Sequence, residues 1–158
     1  MALGMALLEL PWRATGVLLA ATPAYYQQQQ RDLVAAFCSE HGLDSPTVQQ
    51  STDDRLRWLP RLAPRKFGRV LPGEVAACRA VAQRHGILLD PIWSLAAWEQ
   101  TCRLASGGAA LGRGSDAAPG AAGTLEERLR PGEELVVMLH TGGALGLCGL
   151  AQRFPEQF

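Results

Sequence analysis

Leu135-Val136-Val137-Met138-Leu139-His140-Thr141-Gly142-Gly143-Ala144-Leu145-Gly146-Leu147 carries the clearest strand signal in the sequence. Leu135 to Leu139 is apolar throughout and reads as a buried strand. A Gly-rich turn follows at once, and Ala144 to Gln152 reads as a helix. Strand, tight turn and helix in that order are the working unit of an α/β sheet. The turn also has a chemical use. Glycines let the backbone approach a ligand with no side chain in the way. Thr141 offers a hydroxyl that donates or accepts. Free amides at a helix start favour an anionic group. Taken alone, His140-Thr141-Gly142-Gly143 has two readings, a plain turn or a ligand loop at the carboxyl end of a strand, where α/β sheets bind.

Working upstream, the same alternation recurs. Ala2 to Leu10 is rich in Ala, Leu and Met and reads as a helix that Pro11 ends. Thr15 to Ala20 is a short apolar run that reads as a strand buried on both faces. Pro23 opens a helix over Tyr25 to His41, with Leu33, Val34, Phe37 and Cys38 on its inner face and Gly42 as its stop. Gln27 to Gln30 reads as the solvated side of that helix. Residues 44–73, with their prolines and paired charges, predict irregular structure with at most a short strand. Glu74 to His85 predicts a helix with Val75, Cys78, Val81 and Ala82 inward and Gly86 as its stop. Ile87 to Leu89 is a short buried segment. Ser94 is placed as the N-cap of a helix from Leu95 to about Leu104. Residues 106–123 are dominated by Gly, Ala and Ser and read as a flexible loop. Thr124-Leu125-Glu126-Glu127 reads as a capping box. The expectation is a single α/β domain over 1–158, three-layered (αβα) with a mainly parallel sheet.

Composition excludes several classes. The 158 residues are 47% hydrophobic and 19% charged, which is globular. Fifteen basic and fifteen acidic side chains cancel, so nothing steers the chain to nucleic acid or to an anionic membrane. The apolar N-terminus lacks a basic leader region and is too short to span a bilayer. The expected compartment is the cytosol, with an organelle left open. Cys38, Cys78, Cys102 and Cys148 have no ligand spacing and read as small buried residues of a reducing compartment. No metal site is expected. Lys66 is the one lysine of the chain, so it is the only side-chain amine available as a nucleophile.

Two segments together carry more than either alone. Gly86-Ile87-Leu88-Leu89-Asp90-Pro91-Ile92-Trp93-Ser94, followed downstream by Leu139-His140-Thr141-Gly142-Gly143-Ala144-Leu145-Gly146-Leu147, resembles the D-cysteine desulfhydrase and 1-aminocyclopropane-1-carboxylate deaminase family. These are fold-type II pyridoxal-phosphate enzymes, related to the tryptophan synthase β chain. The family shows G-x-L-L-D-P-V-Y-S/T-G-K and then H-T-G-G. Glu74 to His85 looks like the helix before the first motif. Met1 to Tyr26 looks like the helix-strand-helix after the family's phosphate loop. The resemblance runs over nearly the whole chain, but over only the later half of a family member. It implies a partial fold-type II fold and pyridoxal phosphate as cofactor. The implied reaction is elimination on D-cysteine, giving pyruvate, ammonia and sulfide, or the sister deamination. Thr141 would face the ring nitrogen of the cofactor, and Gly142 and Gly143 would line the ring's edge.

The departures from the family pattern set further expectations. The family's Schiff-base lysine and phosphate loop would both lie upstream of Met1, and Lys66 does not take the lysine's place. The motif's tyrosine is Trp93, and a second family tyrosine falls at Phe67. Indole N–H is a donor only and phenyl is neither donor nor acceptor, so neither performs a phenol's proton transfers. The family's G-K reads Leu95-Ala96. The chain is therefore expected to be inactive by itself, as a truncated isoform, a gene fragment or a pseudoenzyme. A non-catalytic module that pairs with itself or with a full-length relative is the alternative. Among the remaining candidates, His140 reads either as a base or as a hydrogen-bonded structural residue. His41 and His85 suit helix C-terminal ends.

Overall fold

The computed structural model describes residues 1–106 and 135–157. They fall into two compact units, Met1–Arg69 and Val70–Phe158. The expected loop over 106–123, beyond Ser106, and the Thr124 capping box lie outside the described residues. The described elements are helices and one two-stranded parallel sheet, an α/β architecture.

In the first unit, α1 (Ala2–Leu7) precedes β1 (Ala14–Leu18), α2 (Pro23–His41), α3 (Ser45–Arg55) and β2 (Leu56–Pro60). β1 and β2 pair in parallel, from Ala14 opposite Leu56 to Leu18 opposite Pro60. Parallel pairing requires a crossover, and α2 and α3 supply it. Proline ends β2 because it has no N–H for the ladder. Gly16 lies opposite Trp58, and a Cβ there would collide with the indole ring. β1 was expected to be buried on both faces. Only Leu18 is buried and the rest is half-buried, since a two-stranded sheet has no central strand.

α2 starts and stops as its sequence dictates. Thr22 Oγ1 accepts from the Tyr25 N–H at 3.3 Å, and Pro23 occupies the first turn. Gly42 closes the helix at φ 63°, and the Leu43 N–H reaches back to the Cys38 carbonyl at 3.0 Å. Val34 and Cys38 are its buried residues. Leu33, expected beside them, is 71% exposed. Gln30 was expected on a solvated face, yet it is half-buried and joins three elements. Its Oε1 accepts from the Trp58 indole N–H at 3.0 Å and its amide donates to Asp53 at 2.6 Å.

α3 corrects the expectation of irregular structure over 44–73. Asp44 caps it by accepting from the Thr47 N–H at 3.3 Å, and Pro46 sits in the first turn. Gln49 and Gln50 then donate to Asp53 and Asp54, each one turn on. Its inner face is marked by Thr52, 1% exposed, whose hydroxyl returns to the Val48 carbonyl at 2.8 Å.

The second unit contains α4 (Glu74–His85), α5 (Ser94–Ala105), α6 (Ala144–Arg153) and a closing 3-10 turn, Pro155–Gln157. α4 has the expected bounds. The Glu74 carboxylate accepts from the Leu71 N–H at 2.8 Å, and Gly86 ends the helix at φ 69°. The core is Cys78, Leu89 and Leu95, with Val81, Ile87, Trp98 and Met138 packed around it. Leu135 to Leu139 was expected to be a strand. It forms no sheet among the described residues. Half-buried Val136 and Met138 alternate with exposed Leu135, Val137 and Leu139, so one side of the run is covered and the other is bare. The two-residue period of a strand is present although no described segment pairs with it.

Candidate functional site

The two motif segments, far apart in sequence, meet in the second unit. Leu89 is drawn into the core at 1% exposure, which fixes the chain that follows it. Asp90 comes next and is also only 1% exposed. A buried carboxylate is costly unless its oxygens find donors. Here they do. The backbone N–H groups of Ile92 and Trp93 donate to Oδ1 at 2.9 and 2.8 Å. The Ser94 N–H donates to Oδ2 at 3.1 Å, and the Ser94 hydroxyl to the same oxygen at 2.7 Å. The Asp90 N–H in turn donates to the Ser94 hydroxyl at 2.7 Å. Asp90 is thus the side chain that caps α5. Ser94, expected as the N-cap, is the first helical residue and serves as Asp90's partner.

The Gly-rich turn rests on this carboxylate. Gly143 is half-buried at φ 100°, and a Cβ there would collide with Asp90 Oδ2. Gly142 has φ 136°, again a conformation that favours glycine. Gly143 is the N-cap residue of α6. At the other end of the turn, His140 Nε2 lies 2.8 Å from the Leu88 carbonyl. A carbonyl only accepts, so Nε2 carries the hydrogen and donates it. That contact uses one ring nitrogen for structure. Between these two points, Thr141 and Gly142 are exposed.

Other candidates are placed as follows. Trp93 sits at the N-cap position of α5 and is 52% exposed. Phe67 is 45% exposed and belongs to the first unit, as does the exposed Lys66. Leu95 and Ala96, which replace the family's glycine and lysine, are core residues at 2% and 1% exposure. His41 packs on Phe37 at 4.3 Å and His85 on Trp98 at 5.3 Å, both at helix C-terminal ends. All four cysteines are free; Cys38 and Cys78 are buried as expected, whereas Cys102 is half-buried and Cys148 exposed. Burial pushes the Cys78 thiol up to about 12, and the charges of Asp90, Glu74 and Glu99 add to this. Burial, then Glu99, also raises Cys102. Cys78 therefore behaves as a small apolar core residue. Among the described residues, no three His, Cys, Asp or Glu side chains are grouped to hold a metal, and no helix is long and apolar enough to cross a membrane.

The residues that sequence reasoning undervalued are Asp90 and Ser94. The signal was present as Asp-Pro-x-x-Ser, an acid four residues before a hydroxyl at a helix start.

Comparisons with known proteins extend this picture. No protein-family model matches the chain, and no solved structure matches it. A protein of Oryza sativa subsp. japonica is 38% identical over 161 aligned positions. The alignment covers 100% of this chain and 34% of that relative, whose name is "Putative D-cysteine desulfhydrase 2, mitochondrial". The chain thus spans about a third of the length of the relative it matches.

Proposed function

Because this chain belongs to the D-cysteine desulfhydrase family, we propose that its turn at residues 140–143 is a pyridoxal-phosphate contact of a lyase acting on small amino acids. The observation that carries this reading is the meeting of the two motif segments, with Gly143 seated on the Asp90 carboxylate and Thr141 left exposed. The residues present fit one side of the cofactor. Thr141 has a free face for a ring heteroatom, and Gly142 and Gly143 leave the backbone bare beside it. Bound there, the group would supply an electron sink for charge developing at the substrate's α-carbon.

The same residues argue for a chain that does not complete the reaction by itself. An amine is needed to link the cofactor, and Lys66 is the only lysine. Trp93 offers a donor but no exchangeable phenol proton, and Phe67 offers neither. We therefore propose that D-cysteine and water are not converted to pyruvate, ammonia and hydrogen sulfide by this chain alone. Purified chain, pyridoxal phosphate and D-cysteine should release sulfide no faster than the cofactor and amino acid without protein. Release that scales with chain concentration would overturn this. Release that also survives Lys66→Ala would remove that amine from consideration.

A second reading has its own observation. In the run from Leu135 to Leu139 the outward side chains Leu135, Val137 and Leu139 are 52%, 67% and 54% exposed. An apolar row on an extended segment that joins no sheet among the described residues is suited to association with itself or a full-length relative. Light scattering after size exclusion decides it, and a stable monomer at all concentrations would count against it. The cytosol and the mitochondrion are both compatible with this reading; fractionation of cells expressing the chain separates them.

A further inference from the structure

The turn at residues 140–143 is held at two points, and the points are unlike each other. At its start, the His140 imidazole donates from Nε2 to the Leu88 carbonyl at 2.8 Å. At its end, Gly143 lies against Asp90, close enough that a Cβ would overlap the carboxylate. Both anchors belong to the same short segment, since Leu88 and Asp90 flank the buried Leu89. That segment is in turn fixed to α5, because the Leu95 N–H donates to the Asp90 carbonyl at 2.9 Å and Ser94 is bonded to Asp90 at both backbone and side chain.

Each anchor is committed. The Asp90 oxygens accept from Ile92, Trp93 and Ser94, so the carboxylate faces the turn as a wall rather than as a ligand group. His140 is exposed, yet its Nε2 hydrogen is taken. The residues between the anchors, Thr141 and Gly142, are both exposed, and Gly142 at φ 136° has a backbone that wanders freely unless its ends are fixed.

We propose that His140 and Asp90 are positioning residues, a two-point clamp that holds Thr141 and Gly142 in one conformation and so sets where the Thr141 hydroxyl meets its ligand. The ligand side of this statement rests on the cofactor reading given above; the clamp itself does not. In this arrangement the structural property of His140 is a donor at the Nε2 position, which leaves Nδ1 as the ring's acceptor. Glutamine can place an amide donor near that point and alanine cannot.

The test uses the full chain and two readouts. The first is the backbone amide order parameter at Thr141 and Gly142, with amides inside α4 as the rigid reference. The second is the affinity for pyridoxal phosphate. His140→Ala should lower the order parameters of Thr141 and Gly142 from about 0.85 to below about 0.6 and leave α4 unchanged. His140→Gln should return most of that order. Asp90→Asn, which keeps the shape but turns a donor toward the donors around it, should loosen the turn at least as much. Because His140 is on the surface, its variants keep the proposal testable even where Asp90→Asn fails to fold. Unchanged order at Thr141 and Gly142 in His140→Ala, or no recovery in His140→Gln, would overturn the clamp. A loosened turn in a chain that never binds pyridoxal phosphate would uphold the clamp and overturn the cofactor reading instead. Parallel loss of order and of affinity would support both.

Discussion

Gly143 is the residue on which the site turns. Its φ of 100° and its contact with Asp90 leave no room for a side chain. Gly143→Ala should therefore cost about 1–3 kcal/mol of stability, read from urea denaturation. The same change at Gly142 meets open space but keeps the φ penalty, so it should cost less. Cys78 gives a prediction in pH. Its thiol is raised from 9.0 to about 12, so the folded state keeps a proton that the unfolded state releases. The native advantage is intact below about 9 and falls as pH rises from there toward 12. Denaturation of the chain and of Cys78→Ala across that range should show a shallower decline in the variant. Thiol labelling should find Cys148 first, with Cys38 and Cys78 protected until the chain unfolds. At this scale the sequence was partly legible. The glycines declared their positive φ angles through the turn they occupy. The tie of Asp90 to Ser94 is spelled in Asp-Pro-x-x-Ser, but a capping acid and a ligand acid are spelled alike and only burial separates them.

Elements were legible where period and punctuation agreed. α2 and α4 have a Pro or Gly at one end, a buried stripe and a terminal glycine; α4 has the expected bounds, and α2 begins at Pro23, two residues before the expected Tyr25. α3 has neither an apolar stripe nor a terminal glycine. Its cohesion comes from Asp44, Pro46 and the Gln-to-Asp pairs, which are polar signals that resemble those of a loop. Asp44→Ala should accordingly cost about 1 kcal/mol, seen as a lower urea midpoint with an unchanged slope. Leu135 to Leu139 failed in the opposite way. Its apolar run matches a buried strand, but a strand is a relation between segments, and no described segment pairs with it. Only Met138 of this run packs on the core, so Met138→Ala should destabilise the second unit by about 2–3 kcal/mol, while Val137→Ser should be nearly neutral in the monomer.

At the scale of the molecule, family membership and chemical sufficiency separate. The chain matches a desulfhydrase relative along its whole length, yet spans 34% of that relative. Its second unit brings the two motif segments together, while its one lysine lies in the first. The resemblance was legible because two motif segments read together are more specific than either alone. Contact between residues 140–143 and pyridoxal phosphate can be followed in the amide NMR signals of the chain as the cofactor is added. Thr141, Gly142 and Gly143 should shift together and saturably, and Thr141→Val should weaken the titration. Saturable shifts confined to the first unit around Lys66, with residues 140–143 unmoved, would contradict that contact.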